Sequence, residues 1–399
     1  MKEITELNNL LSQYVDQGFF PGLQWQINFN DNIYAGKYGL NNIDTKIEVL
    51  DDSIYRIWSM TKPVVAVAAL KLVEEKKINL DDPITEYLPE FNDLQVMVQE
   101  DGVVEDVEKI NQFPTIKDLF LHTAGFSYNF LADPVGKHYD QLRLFNSDTT
   151  TLAEEIKILA KAPLLFQPQK SWRYSVSMDV LARIIEIVRG DSLQNILQKE
   201  IFNPLDMHDT AFTVPLENQH KVMASYEYDP IKNNLSELIS DPQKIGNYGY
   251  PLHASSYARG GHGLFSTLND YSIFAKMLHS GTSSNGQQIL NPTTLRLMST
   301  NFLEDKYLPI EIATIGILKD ENYVNGLKAY GWGLGCRTLL DPSKQNNLGC
   351  TGEFGWAGAA STFFLVDNSK KLSATIMTQV LFGNPDLHRE FYKFIYTNF

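Results

Sequence analysis

Cysteine is nearly absent: the 399 residues contain two, Cys336 and Cys350. Two thiols cannot staple a chain of this length, so the core must come from packing and no disulfide-scaffold class applies. Both are expected to be buried free thiols in or near adjacent C-terminal strands. Positive charge is also scarce, with 34 Lys and Arg against 48 Asp and Glu and a formal net charge of −14. No basic stripe occurs, so the phosphate neutralisation that nucleic-acid binding requires has no source. No run approaches the roughly 20 apolar residues of a membrane helix. The start of the chain mixes Lys2, Glu3, Glu6 and Asn8 with Leu7, Leu10 and Leu11. That is not the uninterrupted apolar stretch of a secretory leader, and a cytoplasmic location is expected. The eight histidines are scattered and no His-Glu-x-x-His is present, so neither a metal nor another cofactor is expected. Internal repeats and low-complexity tracts are missing too.

What is present is a chain 43% hydrophobic, enough for one large domain or two intimately packed ones. Apolar spacing predicts an amphipathic helix over 4–17. Leu23–Asn30 and Ile33–Leu40 are β-prone runs across the polar turn Asp31-Asn32, a hairpin signal. The stretch 62–77 predicts a strong helix, and Asp81-Asp82-Pro83 a turn with a fresh helix start. Residues 92–114 are polar and irregular, as expected of a surface excursion. Helical patterns recur at 116–121, 151–161, 177–189, 192–201, 268–280 and 291–300, while 217–262 read as long loops. Short β-rich runs at 330–338, 359–366 and 372–379 precede a C-terminal helix from about 384. The plan is an α/β fold of the α+β type: a mainly antiparallel sheet from 1–78 and 260–399, flanked by helices, with a mostly helical and loop region, 79–259, inserted as part of one catalytic unit. A cleft is expected where the two parts meet.

Three elements could carry chemistry. Ser59-Met60-Thr61-Lys62 opens the strong helix, and residues i and i+3 share a helical face, so the Lys62 amine can reach the Ser59 hydroxyl. A serine hydroxyl needs such a base to become a good nucleophile, and partial burial keeps a lysine neutral enough to serve. The helix dipole favours negative charge developing there, and Pro63 suits a first turn. Chance supplies about one such tetrapeptide in a chain of this composition, and a helix-capping Ser59 with a solvated Lys62 is the plain alternative. The second element is Trp172-Arg173-Tyr174-Ser175-Val176, where Tyr174 could relay a proton or simply pack. The third is Gly352 to Ser361, whose small residues allow close backbone approach and could supply an oxyanion N–H beside that of Ser59.

Taken together and in order, these elements resemble the serine β-lactamase and penicillin-binding-protein-like superfamily, and within it the class C β-lactamase-like esterases and acyltransferases. The likeness spans about residues 12 to 380. It rests on Tyr55 to Lys62, Leu121-His122-Thr123-Ala124-Gly125, Trp172-Arg173-Tyr174-Ser175, Ile201 to Met207, Gly260 to Thr267 and Gly355-Trp356-Ala357-Gly358. The resemblance implies the β-lactamase/transpeptidase-like fold, with Ser59 as acylated nucleophile, Lys62 as base partner and Tyr174 as proton shuttle. Backbone N–H groups of Ser59 and Ala359 would form the oxyanion hole. Trp356-Ala357-Gly358 stands where the family's lactamases carry Lys-Thr-Gly, and Tyr174-Ser175-Val176 where they carry Tyr-x-Asn. Loss of the groups that hold a carboxylate and an amide turns the expected partner toward a small-molecule ester or acyl donor. A β-lactamase or D,D-peptidase and a non-catalytic scaffold are the competing readings. Trp356, Gly358, Tyr248, Tyr250 and His262 are candidate substrate contacts, with His253 beside the two tyrosines. His122 is expected to belong to a structural turn.

Overall fold

In the computed structural model, which describes residues 2–145, 150–238, 252, 258–310, 327–381 and 383–399, two long strands meet at Asn30 and Asp31. Strand β1 is Gly22–Phe29 and β2 is Asn32–Asn42. Only these two residues separate the paired Phe29 and Asn32, and their φ angles are 47° and 65°. A two-residue connection matched to strand twist needs left-handed backbone at both positions, which Asn and Asp tolerate better than other side chains. The hairpin therefore turns one residue earlier than the sequence pattern suggests.

The hairpin lies within an eight-stranded sheet. Its other strands are β3 (Ile47–Glu48), β10 (Tyr330–Trp332), β11 (Arg337–Leu339), β12 (Phe354–Ala357), β13 (Phe363–Asp367) and β14 (Leu372–Met377). The order is β10-β11-β12-β13-β14-β1-β2-β3, and each of the seven pairings is antiparallel. The expected 359–366 run is divided differently: β12 ends at Ala357, and a tight turn precedes β13.

Side chains alternate between the two faces, as period 2 demands. Leu23, Trp25 and Ile27 of β1 join Phe363 and Leu365 of β13 and Leu372, Ala374 and Ile376 of β14. They meet Leu7 and Leu11 of the N-terminal helix Lys2–Asp16 and Phe391 and Ile395 of the C-terminal helix Asp386–Asn398. Phe354, Trp356, Phe364, Val366 and Met377 point the other way, into the main core. The helices Leu268–Ser280 and Thr61–Glu74 fill that side.

Thr61–Glu74 is buried at every residue from Thr61 to Leu70 and again at Leu72. A helix apolar all round must be enclosed by protein, and each fully buried Val or Leu contributes roughly 1.5–3 kcal/mol. The helix is thus a rigid post for whatever stands at its N-terminus. It stops at Glu74, short of the expected Lys77, where Lys76 turns left-handed (φ 56°).

Helices Ile116–Leu121, Pro134–Gln141, Leu152–Leu159, Ser177–Arg189 and Leu193–Leu197 lie between the two sheet-forming parts of the chain. Two polar stretches read as irregular carry short hairpins: β5 (Gln95–Met97) with β6 (Val107–Lys109), and β7 (Tyr226–Asp229) with β8 (Asn234–Glu237). Strand β15 (Val380–Leu381) pairs parallel to β7, and β4 (Ile54–Arg56) pairs with β9 (Phe265–Thr267). Cys336 is buried, whereas Cys350 is only half-buried because it sits in the turn before β12. Among the described residues no helix is long and apolar enough to cross a membrane.

Candidate active site

The β4–β9 pairing delivers Ser59 to the end of the buried helix. Ile57 N–H donates to the Leu264 carbonyl (3.0 Å), and Leu264 N–H donates to Thr61 Oγ1 (3.3 Å). Tyr271 OH donates to the Met60 carbonyl (2.8 Å). Ser59 lies in the 3-10 turn Trp58–Met60 that leads into Thr61–Glu74. Its predecessor Trp58 has a φ of 48°, a left-handed conformation costing a bulky residue on the order of 1–3 kcal/mol. Stacking on His262, with ring centroids 6.1 Å apart and planes 20° from parallel, supports it. Ser59 is half-buried, while the helix it leads into is buried.

Lys62 is 1% exposed. Its Nζ lies 3.1 Å from Ser59 Oγ and donates to the Gly261 carbonyl (2.7 Å). The solvated-lysine alternative is therefore excluded. The rings of Tyr174 and Tyr128 flank the amine, with centroids 4.6 and 5.2 Å from Nζ. Burial pulls the Lys62 pKa well below the ordinary lysine value, and Asp179 opposes that fall. A neutral amine here gives one N–H to Gly261 and keeps its lone pair for the Ser59 proton.

Tyr174 is buried in the segment that leads into Ser177–Arg189. Arg173 N–H donates to the His122 carbonyl (3.0 Å) and Val176 N–H to the Ser127 carbonyl (3.1 Å). Trp356 Nε1 donates to Tyr174 OH (3.0 Å). An indole N–H is a donor only, so the phenol oxygen of Tyr174 is the acceptor in this contact. His122 ends its helix in left-handed backbone (φ 58°). Its Nδ1 accepts from Ser175 N–H (3.3 Å), and its ring packs 4.9 Å from that of Tyr174. Burial, with Lys62 nearby, holds its pKa well below the usual histidine range. It acts as a neutral wall of the turn.

The turn after β12 is built against Ser59. Gly358 N–H donates to the Thr362 carbonyl (2.8 Å) and Ser361 N–H to the Gly358 carbonyl (3.1 Å). A Cβ on Gly358 would stand 2.5 Å from the Ile57 carbonyl and 2.3 Å from Thr362 Oγ1. Only glycine lets this turn approach the backbone two residues ahead of Ser59. Ala359, next in the chain, is half-buried like Ser59. Ser361 (φ 65°) locks the turn from behind. Its Oγ donates to the Val380 carbonyl (2.8 Å) and accepts from Gly383 N–H (3.2 Å), while His388 Nε2–H donates to its carbonyl (2.9 Å).

Behind Lys62 lies a polar cluster that no linear motif announces. Asp179, fully buried in the first turn of Ser177–Arg189, accepts from Gly261 N–H through Oδ1 (3.0 Å). Burial raises its pKa, and the Gly261 N–H, Lys62 and Arg259 act against that rise. Arg259 and Glu155 form a buried ion pair (2.9 Å). His262 is pushed down to about 3 by burial and by Lys62 and Arg259, so it is neutral. Its ring stacks on Trp58. Tyr248, Tyr250 and His253 lie outside the described residues. Among the described residues no group of three or more His, Cys, Asp and Glu could hold a metal ion.

The β-lactamase family model matches residues 7–393. Protein Rv1367c of Mycobacterium tuberculosis strain H37Rv is 29% identical over 361 residues, covering 89% of this chain and 84% of that protein. Esterase EstB of Burkholderia gladioli is 26% identical over 362 residues, covering 88% and 83%. The solved structure of EstCE1, a hydrolase with promiscuous acyltransferase activity, superposes with a TM-score of 0.81 at 21% identity and covers 99% of both chains. That likeness shows the fold, a large antiparallel sheet flanked by helices.

Proposed function

The chain belongs to the β-lactamase family, and from that premise we propose that it is a serine hydrolase or acyltransferase acting on carboxylic esters through an acyl-Ser59 intermediate. The observation that carries the reading is the buried Lys62 amine 3.1 Å from the hydroxyl of half-buried Ser59. Neutral Lys62 takes the Ser59 proton as Oγ attacks the ester carbonyl. The N–H groups of Ser59 and Ala359 receive the oxyanion, a contribution of about 10²–10³ in rate for one donor of this kind. Tyr174, held by the Trp356 indole, passes a proton to the departing alcohol. Water or a second alcohol then attacks the acyl-enzyme, its proton returning along the same path.

The substrate class follows from the wall beside Tyr174. Trp356 stands where the family's lactamases carry a lysine and offers an apolar face and one indole N–H already given to Tyr174, not a charge that would hold a carboxylate. Neutral esters suit it better than β-lactams or peptides. Gly358 serves the turn, and His262 supports Trp58 at the rim. The division into 1–78 with 260–399, and 79–259, is retained in this reading. Ser59, Lys62, Gly261 and Ala359 come from the first part and Tyr174 and Asp179 from the second, so the two act as one catalytic unit. Cys336 and Cys350 are unpaired, which suits a reducing compartment, and the enzyme is assigned to the cytoplasm.

The test is turnover of short-chain aryl esters beside a chromogenic β-lactam. The ester is expected to be the far better substrate, and Ser59→Ala is expected to stay folded by circular dichroism while losing ester turnover to background. Unchanged turnover in Ser59→Ala, or a preference for the β-lactam, would overturn the reading.

A further inference from the structure

We propose that Asp179 is a positioning residue that governs the proton on Lys62 through Gly261, whose N–H it accepts and whose carbonyl Lys62 bonds. The inference rests on the reading of Lys62 as the base and extends it to a carboxylate that does not touch substrate.

Three observations support it. First, the bridge is continuous: Asp179 Oδ1 accepts from Gly261 N–H at 3.0 Å, and Lys62 Nζ donates to Gly261 O at 2.7 Å. Second, the bridge is fitted to glycine. A Cβ on residue 261 would stand 2.5 Å from Asp179 Oδ2 and 2.5 Å from Tyr128 OH, so any side chain there would drive the carboxylate and the phenol off the backbone. Third, Asp179 Oδ2 is buried and has no hydrogen-bond partner among the described residues. Its negative charge is therefore answered by the cations around it rather than by a second hydrogen bond among the described residues.

The charges around the bridge say what the carboxylate does. Arg259 is the other cation that faces Asp179, but it is matched by Glu155 at 2.9 Å and bonded to the Thr150 carbonyl at 3.0 Å. Glu155 is itself held by Thr150 Oγ1 (2.7 Å) and Phe145 N–H (3.0 Å). Tyr128 faces Asp179 with its phenol pKa pushed well up by burial. His122 and His262, which face Lys62, are both kept neutral, chiefly by burial. Tyr174 completes the ring of groups around the amine. Once Arg259 and Glu155 are set against each other, Lys62 and Asp179 are the remaining pair of buried ionisable charges, and they face one another across Gly261. Ionised Asp179 favours the Lys62 ammonium and so limits how far burial lowers its pKa. Without that charge desolvation acts unopposed, the amine loses its proton at lower pH, and the weaker base abstracts the Ser59 proton more slowly.

The experiment is the pH profile of kcat/KM for a neutral aryl ester in wild type, Asp179→Asn, Asp179→Glu and Lys62→Met. Asn keeps an oxygen for the Gly261 N–H and removes the charge. Its acid limb is expected to move to lower pH by about one unit, with a reduced plateau. Glu keeps the charge, and its limb is expected to stay near wild type even if its plateau falls. A merely structural Asp179 would lower the plateau alike in both variants and leave both limbs in place, which would overturn the proposal. If Asp179→Asn fails the circular dichroism check, Glu155→Gln replaces it. Releasing the Arg259 charge toward the pair moves the limb in the same direction, and a folded Glu155→Gln with an unmoved limb counts against the proposal equally. Lys62→Met separates the two levels. Full activity in that variant sinks the base itself, whereas an inactive Lys62→Met beside an unshifted Asp179→Asn sinks only the role of Asp179.

Discussion

The molecule holds two clusters of buried ionisable groups, and only one of them adjoins the Ser59 hydroxyl. The first joins Lys62, Asp179, Arg259 and Glu155 behind Ser59. The second surrounds Glu353, the residue just before β12. Glu353 Oε2 accepts from Tyr392 OH and lies 3.2 Å from Tyr396 OH, which also lies 3.1 Å from Asp367 Oδ2. Burial pushes the Glu353 pKa up to about 7, a large shift, though smaller than that of Lys62. Yet its partners come from the C-terminal helix, which seals the cluster with Phe391 and Ile395 in the core. The Cys350 thiol beside Asp367 has its pKa raised, chiefly by burial, and so is not activated as a nucleophile. A displaced pKa marks a site when it adjoins a reachable nucleophile and donors aimed at one point. Elsewhere it marks a staple, and this one fastens the strand that carries Trp356.

The comparison breaks if the two clusters respond alike to substitution. The largest separation is expected at Lys62. Lys62→Met should lower kcat/KM by about 10³, within the usual range for loss of a general base, while its thermal midpoint does not fall, because a buried amine gives way to an apolar chain of similar length. A midpoint that collapses along with activity would make Lys62 a structural residue.

Glu353→Gln should do the reverse, leaving ester kcat/KM within about twofold of wild type while changing how stability depends on pH. A carboxyl whose folded pKa lies above its unfolded value binds more protons folded than unfolded. Its contribution is therefore present at low pH and lost as pH rises from about 4.5 to about 7. At 1.36 kcal/mol per unit, up to about 3 kcal/mol of stability should disappear across that window in wild type and not in Glu353→Gln. Urea denaturation at pH 5 and pH 8 reads the difference, and equal slopes for both proteins would contradict it.

The smallest effect is expected at Trp356. Trp356→Phe keeps the apolar wall and removes the N–H held by Tyr174, at a cost of about 1 kcal/mol for one neutral hydrogen bond. A fall of roughly tenfold or less in kcat, with KM for a neutral ester little changed, would sharpen the link from β12 to the proton shuttle. A change in KM alone would place Trp356 in binding only.

Much of this was legible where the signal is local. The Ser59 and Lys62 spacing, the all-apolar helix that follows it, and the alternation of β1 and β2 depend on neighbours within a few residues. The turn at Asn30-Asp31 slipped by one because polar residues continue through Asn32 and only backbone geometry selects the pair. The hairpins β5–β6 and β7–β8 were hidden by polar sequence that lacks apolar alternation. Asp179 and Gly261 escaped for a different reason. They are 82 residues apart, and neither a first-turn aspartate nor one glycine of a Gly-Gly pair signals a partner at that distance. Ser361 and His388 likewise hold the Ala359 turn through a contact spanning 27 residues.

The central claim is that Ser59 carries the acyl group, and intact-mass analysis tests it most directly. Wild-type protein mixed with an aryl ester and quenched within seconds should gain the mass of one acyl group, on the peptide that holds Ser59 and Lys62. Ser59→Ala should gain none. An adduct elsewhere, or an equal adduct in Ser59→Ala, would contradict the account.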